Sequence, residues 1–136
     1  MKKLLVPLLG AVLLVTALAA PAQAAKQGQC ANFPQVNLRL CASVNWANGN
    51  VWMTGQGREL TNTAFGEYVV GGALLRQSCR GGDWRVIGED SVRGNEGLTL
   101  VTPTFRIQKG YRYRASTVSS RGLKFGVVSS PVLSRC

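Results

Sequence analysis

The chain of 136 residues contains no histidine. That absence removes the Ser-His and Cys-His pairs on which much nucleophilic catalysis relies. Ser-x-x-Lys spacing is missing too. Carboxylates are scarce: Glu59, Glu67, Asp83, Glu89, Asp90 and Glu96 are all there are. Glycoside hydrolysis needs only two, set about 5–9 Å apart across a cleft. Glu89 and Asp90 are adjacent, however, and on a strand they point to opposite faces. Most of the other acids fall in turns or at strand ends, as solvated surface groups do. There is no C-x-x-C pair, so the four cysteines do not have the spacing of a zinc site. The expectation is a protein that is not an enzyme, with no catalytic residue, no metal and no cofactor. A small carboxylate-dependent hydrolase ranks last among the readings.

Helical patterning is also lacking. After the first 24 residues no stretch spaces apolar residues at i, i+3, i+4 and i+7. No internal repeat, charge block or low-complexity linker divides the chain.

Residues 1–24 have the pattern of an export signal. Lys2 and Lys3 form a positive head, Leu4 to Ala20 are almost wholly apolar, and Ala22-Gln23-Ala24 supplies a small-x-small ending. An uncleaved anchor is the alternative, against which Pro7 and that ending argue. No stable membrane insertion is expected after processing. The remaining 112 residues suit one domain, in a secreted, extracellular protein. Fourteen Lys and Arg against six acids leave that part at +8. Such a charge draws a protein to polyanions, although it equally serves solubility. Cys30, Cys41, Cys79 and Cys136 all lie in the exported part, and an even count there implies disulfides.

The exported part has the composition of a β protein. Residues 25–35 read as an irregular N-terminal arm tied down by Cys30, and 36–136 as the folded domain. Val36, Leu38, Leu40, Ala42, Val44 and Trp46 alternate strictly with polar positions, the pattern of a strand with one buried face. Asn48-Gly49 follows, a strong type I′ hairpin signal. That turn sets Trp46 against Val51 and Asn45 against Trp52, so Val51, Met53 and Gly55 face inward and Trp52 outward. A second hairpin around Gly81-Gly82 sets Gln77 against Val86, with Arg76 and Arg85 on one side. Three further strands follow: 97–107, interrupted at Pro103, then 111–119 and 123–133. About seven strands at this spacing predict an all-β, two-sheet antiparallel sandwich, with a small closed barrel as the alternative.

Gly110-Tyr-Arg-Tyr-Arg-Ala115, Ser119-Ser-Arg-Gly122 and Val127-Val-Ser-Ser-Pro-Val132 together resemble the final hairpin of fibronectin type III and related immunoglobulin-like modules. The resemblance covers residues 97–134 and implies an immunoglobulin-like sandwich with a general role in recognition. The first half departs from it, in its tryptophan positions and in having cysteines for two disulfides. Four cysteines allow three connectivities. In the immunoglobulin-like topology the third and last strands flank the sixth and end at one pole. That arrangement favours Cys79 with Cys136, leaving Cys30 with Cys41.

Two features carry a binding expectation. Trp52, on the polar side of its strand, could stack on a sugar ring or a protein, unless the N-terminal arm pulled over by Cys30 covers it. Trp46 and Trp84 read as core. The second feature is a basic sheet face formed by Arg76, Arg85, Arg112, Arg114 and Lys124, suited to phosphate, sulfate or carboxylate groups. Its alternative is a solvated face whose charges deter aggregation. The expected partner is therefore an anionic extracellular polymer or surface. A protein-directed inhibitor or toxin-like factor, using a loop such as 80–83 or 119–122, is the competing class. No sequence-specific nucleic-acid reader is recognisable.

Overall fold

The computed structural model describes residues 24–62 and 66–136. The export-signal reading falls, apart from residue 24, outside the described residues. Period-two alternation builds two antiparallel sheets that stack face to face. The first runs β1 (Ala25–Phe33), β2 (Leu38–Ala47), β3 (Asn50–Glu59) and β6 (Leu98–Val101), with β7 (Phe105–Arg106) also on β3. The second runs β5 (Arg85–Gly94), β4 (Tyr68–Ser78) and β8 (Tyr111–Arg121). There β9 (Lys124–Ser129) and β10 (Leu133–Ser134) share the far edge of β8. Leaving β1 aside, and counting β6 with β7 and β9 with β10 as shared positions, three positions face four in an immunoglobulin-like order.

Between the layers lie Leu38, Leu40, Ala42 and Val44 from β2, with Val51 and Met53 from β3. Across from them are Val70 and Leu74 from β4 and Tyr113 and Ala115 from β8, all sealed from water. Burial of this apolar surface is the main force holding the sheets together. The β2–β3 hairpin has the expected register, Trp46 opposite Val51, and Asn48 and Gly49 take φ of 52° and 78° at its turn. The disulfides join Cys30 to Cys41 and Cys79 to Cys136.

Four sequence expectations change. Residues 25–33 are not an irregular arm: they form β1, which pairs with β2 over nine residues with Cys30 directly opposite Cys41. The polar run Lys26-Gln-Gly-Gln29 hides this strand, yet Ala31 and Phe33 pack against the core. The second hairpin is tighter in the strands and longer at the tip, with Leu75 rather than Gln77 opposite Val86. Its tip is tied by the Cys79 amide to the Gly110 carbonyl (2.9 Å) and by Gln77 Nε2 to the Gly82 carbonyl (2.8 Å). These bonds and the Cys79 disulfide keep residues 79–84 out of the ladder. The last strand breaks into β9 and β10 around Pro131, which has no N–H to give a ladder.

β9 is also inverted relative to the pattern in which Lys124 faces outward. Gly126 and Val128 face the core, while Phe125 and Val127 are exposed by 62% and 47%. The register of β9 on β8 sets Gly126 opposite Ser119 and Val128 opposite Thr117, both buried, and the Phe33 ring fills the space over Gly126, where a Cβ would sit 2.5 Å from its Cγ.

At one end of the sandwich Tyr68, from β4, hydrogen-bonds to the carbonyls of Gly57 (3.1 Å) and Glu96. Burial pushes the Tyr68 phenol above its ordinary value, the Glu59 carboxylate raises it further, and the Arg121 guanidinium partly opposes them. Gly57 lies beneath it in β3, where a Cβ would stand 2.5 Å from Val70 Cγ2. Valine is stiff about χ1 and cannot swing clear. Gly57→Ala is therefore expected to cost about 1–3 kcal/mol in urea unfolding, the usual penalty of overpacking. Tyr68→Phe removes the one buried O–H donor shared by these carbonyls and should cost about 1–3 kcal/mol near neutral pH. Because the folded pKa is raised, the unfolded chain releases this proton first, and the stability linked to it is lost as pH rises above about 10. The gap between wild type and Tyr68→Phe should thus narrow in unfolding curves taken at pH values above 10.

Candidate anion-binding site

Strand direction decides where the cations go. β2 ends, β3 begins, β4 ends, β5 begins and β8 begins at one end of the sandwich, hereafter the basic end. The Asn48-Gly49 turn, loop 79–84, the 107–110 turn and the C-terminus cap it. The Gly49 carbonyl takes the Ile107 amide (2.7 Å), and the Arg135 carbonyl takes the Gly110 amide (2.8 Å).

Nine of the fourteen Lys and Arg after residue 24 lie in this half. Arg76 is near the end of β4, Arg80 in the hairpin loop and Arg85 at the start of β5. Arg112 and Arg114 open β8, and Lys109 stands in the turn before it. Arg106, Arg135 and Lys26 follow from β7, the C-terminal tail and the start of β1. Among the described residues, Asp83 is the one carboxylate side chain there. Glu89 and Asp90 fall at the middle of β5, and Glu59, Glu67 and Glu96 lie at the opposite end.

Within the basic end, Arg76 and Arg85 are directly opposite each other in the β4–β5 ladder. They line a cavity of about 240 Å³ with Ser78, Gly81, Gly82, Asp83 and Tyr111. The Arg76 guanidinium lies 4.3 Å from the Tyr111 ring centre and donates from Nη1 to Gln108 Oε1 at 2.9 Å. On the outer face of the second sheet, Arg114 lies 4.4 Å from the Trp84 ring centre, and its buried Nε has no hydrogen-bond partner among the described residues. Among the described residues, none of Arg76, Arg85, Arg112 and Arg114 has a carboxylate within 4 Å. Stacking on a ring face leaves a guanidinium's in-plane N–H groups unengaged by the ring itself.

The single row of five cations expected from the sequence is not formed. Arg112 and Arg114 do project from the outer face of the second sheet. Arg76 pairs with Tyr113, whose side chain is buried between the sheets, so Arg76 and Arg85 belong to the inner face and emerge at the rim. Lys124 pairs with Arg121 at the opposite end altogether. Trp84 is not core: it sits half-buried under Arg114. Trp46 is partly buried against the core.

Trp52 stands on the outer face of the first sheet, half-buried, opposite Asn45. β1 does not cross over it, because β1 adds edge-on to β2, and Cys41 pairs with Gln56, four residues along β3. Sequence reasoning missed Lys26, Arg80, Arg106, Lys109 and Arg135. The available signal was their place beside turns and near strand ends, which strand direction gathers at one pole.

The chain matches no protein-family model and no curated protein sequence. Among the described residues, no helix is long and apolar enough to cross a membrane, and no group of three or more acids or cysteines could hold a metal ion.

The stacking of Arg114 on Trp84 makes that indole a reporter. Heparin added to the protein should change its intrinsic fluorescence, and Trp84→Phe should lose most of that change while Trp46→Phe keeps it.

Proposed function

We propose that this chain is a secreted, non-catalytic module that binds an anionic extracellular polymer or surface through its basic end. The observation that carries the reading is the segregation of charge: nine cations against one carboxylate side chain in one half of the domain. A balanced surface would suffice for solubility. Concentration of one sign at one pole creates a local potential that collects polyanions and orients their approach. The arginines suit phosphate, sulfate or carboxylate groups because a planar fork binds two oxygens at once. Two disulfides and the export-type N-terminus support an extracellular setting.

Retention on heparin or on anionic wall polymer should fall steeply with added salt, because exposed charges are screened within about 10 Å at 0.1 M. Arg76→Gln, Arg85→Gln, Arg112→Gln and Arg114→Gln should each weaken binding by about 0.5–1 kcal/mol, roughly two- to fivefold in Kd. Arg93→Gln removes the same charge from the other half of β5 and should do much less. Salt-insensitive retention, or an equal loss in Arg93→Gln, would count against the basic end.

A second reading, a protein-directed factor acting through a loop, draws on Leu123. This side chain is fully exposed beside the Ser119–Gly122 segment. Substitution there would then abolish action on a target protein and leave heparin retention unchanged.

A further inference from the structure

We infer a second oxyanion site, separate from the basic end, formed by Arg39 and Arg58 on the outer face of the first sheet. The two arginines are direct cross-strand partners in the β2–β3 ladder. Like charges placed opposite each other in a sheet repel, and no carboxylate lies within 4 Å of either among the described residues. The fold treats a neighbouring arginine differently: Arg121, at the same end, is neutralised by Glu59 Oε1 at 2.7 Å. Arg39 is held in place by its Nη1 donating to Asn32 Oδ1 on β1 at 3.1 Å.

The pair borders a trough of about 360 Å³. Its other walls are Gln56 and Thr99, cross-strand partners one row along, the Cys41 disulfide, and Gly97, which has no side chain to fill the space beside Arg58. None of the lining residues is acidic. Two arginines, an amide and a hydroxyl therefore border one open volume. That donor set fits a single carboxylate, phosphate or sulfate group, bridged between the forks. The Cys30–Cys41 bond joins β1 to β2 in the adjacent row, so the strands carrying Asn32 and Arg39 are fixed relative to one another.

The site does not depend on the reading of the basic end. Eight residue steps along β3 separate Arg58 from Asn50 at that end, about 26 Å of extended strand. One copy can then hold two anionic groups too far apart for either site alone, either on one long polymer or on two.

The test uses inorganic phosphate and a heparin octasaccharide as probes of the exported domain. Under phosphate titration, the Nε–Hε resonances of Arg39 and Arg58 should shift together and saturate, while that of Arg93 stays in place. Arg39→Lys keeps the charge but loses the fork, and should weaken phosphate binding at least about fivefold. Arg58 is exposed, so Arg58→Gln preserves the fold and should abolish the response at Arg39. By calorimetry the octasaccharide should bind at two sites, one lost in the Arg39→Gln, Arg58→Gln double variant and the other in Arg76→Gln, Arg85→Gln. Unmoved Arg39 and Arg58 resonances, or full binding by Arg39→Lys, overturn the inference. If the octasaccharide binds only at Arg39 and Arg58, the reading of the basic end fails and this site stands.

Discussion

The sealed apolar layer between β2–β3 and β4–β8 is the constraint from which the rest follows. Leu40, Val44, Met53, Leu74 and Tyr113 are shut off from water there, and an unpaired charge among them would be prohibitively costly. The cations must therefore leave by the outer faces or by the ends. Alternation along each strand decides which face, and strand direction decides which end. Arg112 and Arg114 take the face, whereas Arg76 and Arg85, on the inner parity, escape only because their strands run out at the rim. The chemistry of the surface is thus a by-product of how the core is filled.

The disulfides act on this frame at different ranges. Cys30–Cys41 closes a short loop and fixes the register of an edge strand whose polar sequence would pair weakly by itself. Cys79–Cys136 spans 57 positions of sequence and contributes roughly 2–4 kcal/mol by restricting the unfolded chain. Its local consequence matters as much: it brings the loop bearing Arg80 to the tail bearing Arg135. Without that link, two cations of the basic end would ride on loosely held segments.

Repulsion between arginines is left standing at two places in the β ladders. Arg76 faces Arg85, and Arg39 faces Arg58, without a carboxylate within 4 Å of either pair among the described residues. Elsewhere the same protein pairs Arg121 with Glu59, so neutralisation is within its means. Each opposed pair also borders open volume, and each has one guanidinium oriented by a neutral side chain, Gln108 in one case and Asn32 in the other. Under the proposed function, an entering anion would relieve stored repulsion of this kind, tying local instability to binding.

Much of this was legible in the linear chain because period-two patterning is a local property. The β2–β3 hairpin reads off Val36 to Trp46 and Asn48-Gly49 with its register intact, and the outward direction of Arg112 and Arg114 follows from Tyr111, Tyr113 and Ala115. The sandwich order was enough to join Cys79 to Cys136. What escaped was set by distant partners. β1 becomes a strand because Cys41 and the edge of β2 receive it. β9 turns over because its register on β8 puts Gly126 and Val128 inward, where the Phe33 ring, ninety-three positions earlier, occupies the space above Gly126. The basic end exists only after folding, since the residues that make it are spread from Lys26 to Arg135 and share nothing in sequence but proximity to strand ends. Alternation and turn chemistry act between neighbours, so the chain carries them openly; charge focusing and ring-on-glycine packing act through space, so only the assembled sheets decide them.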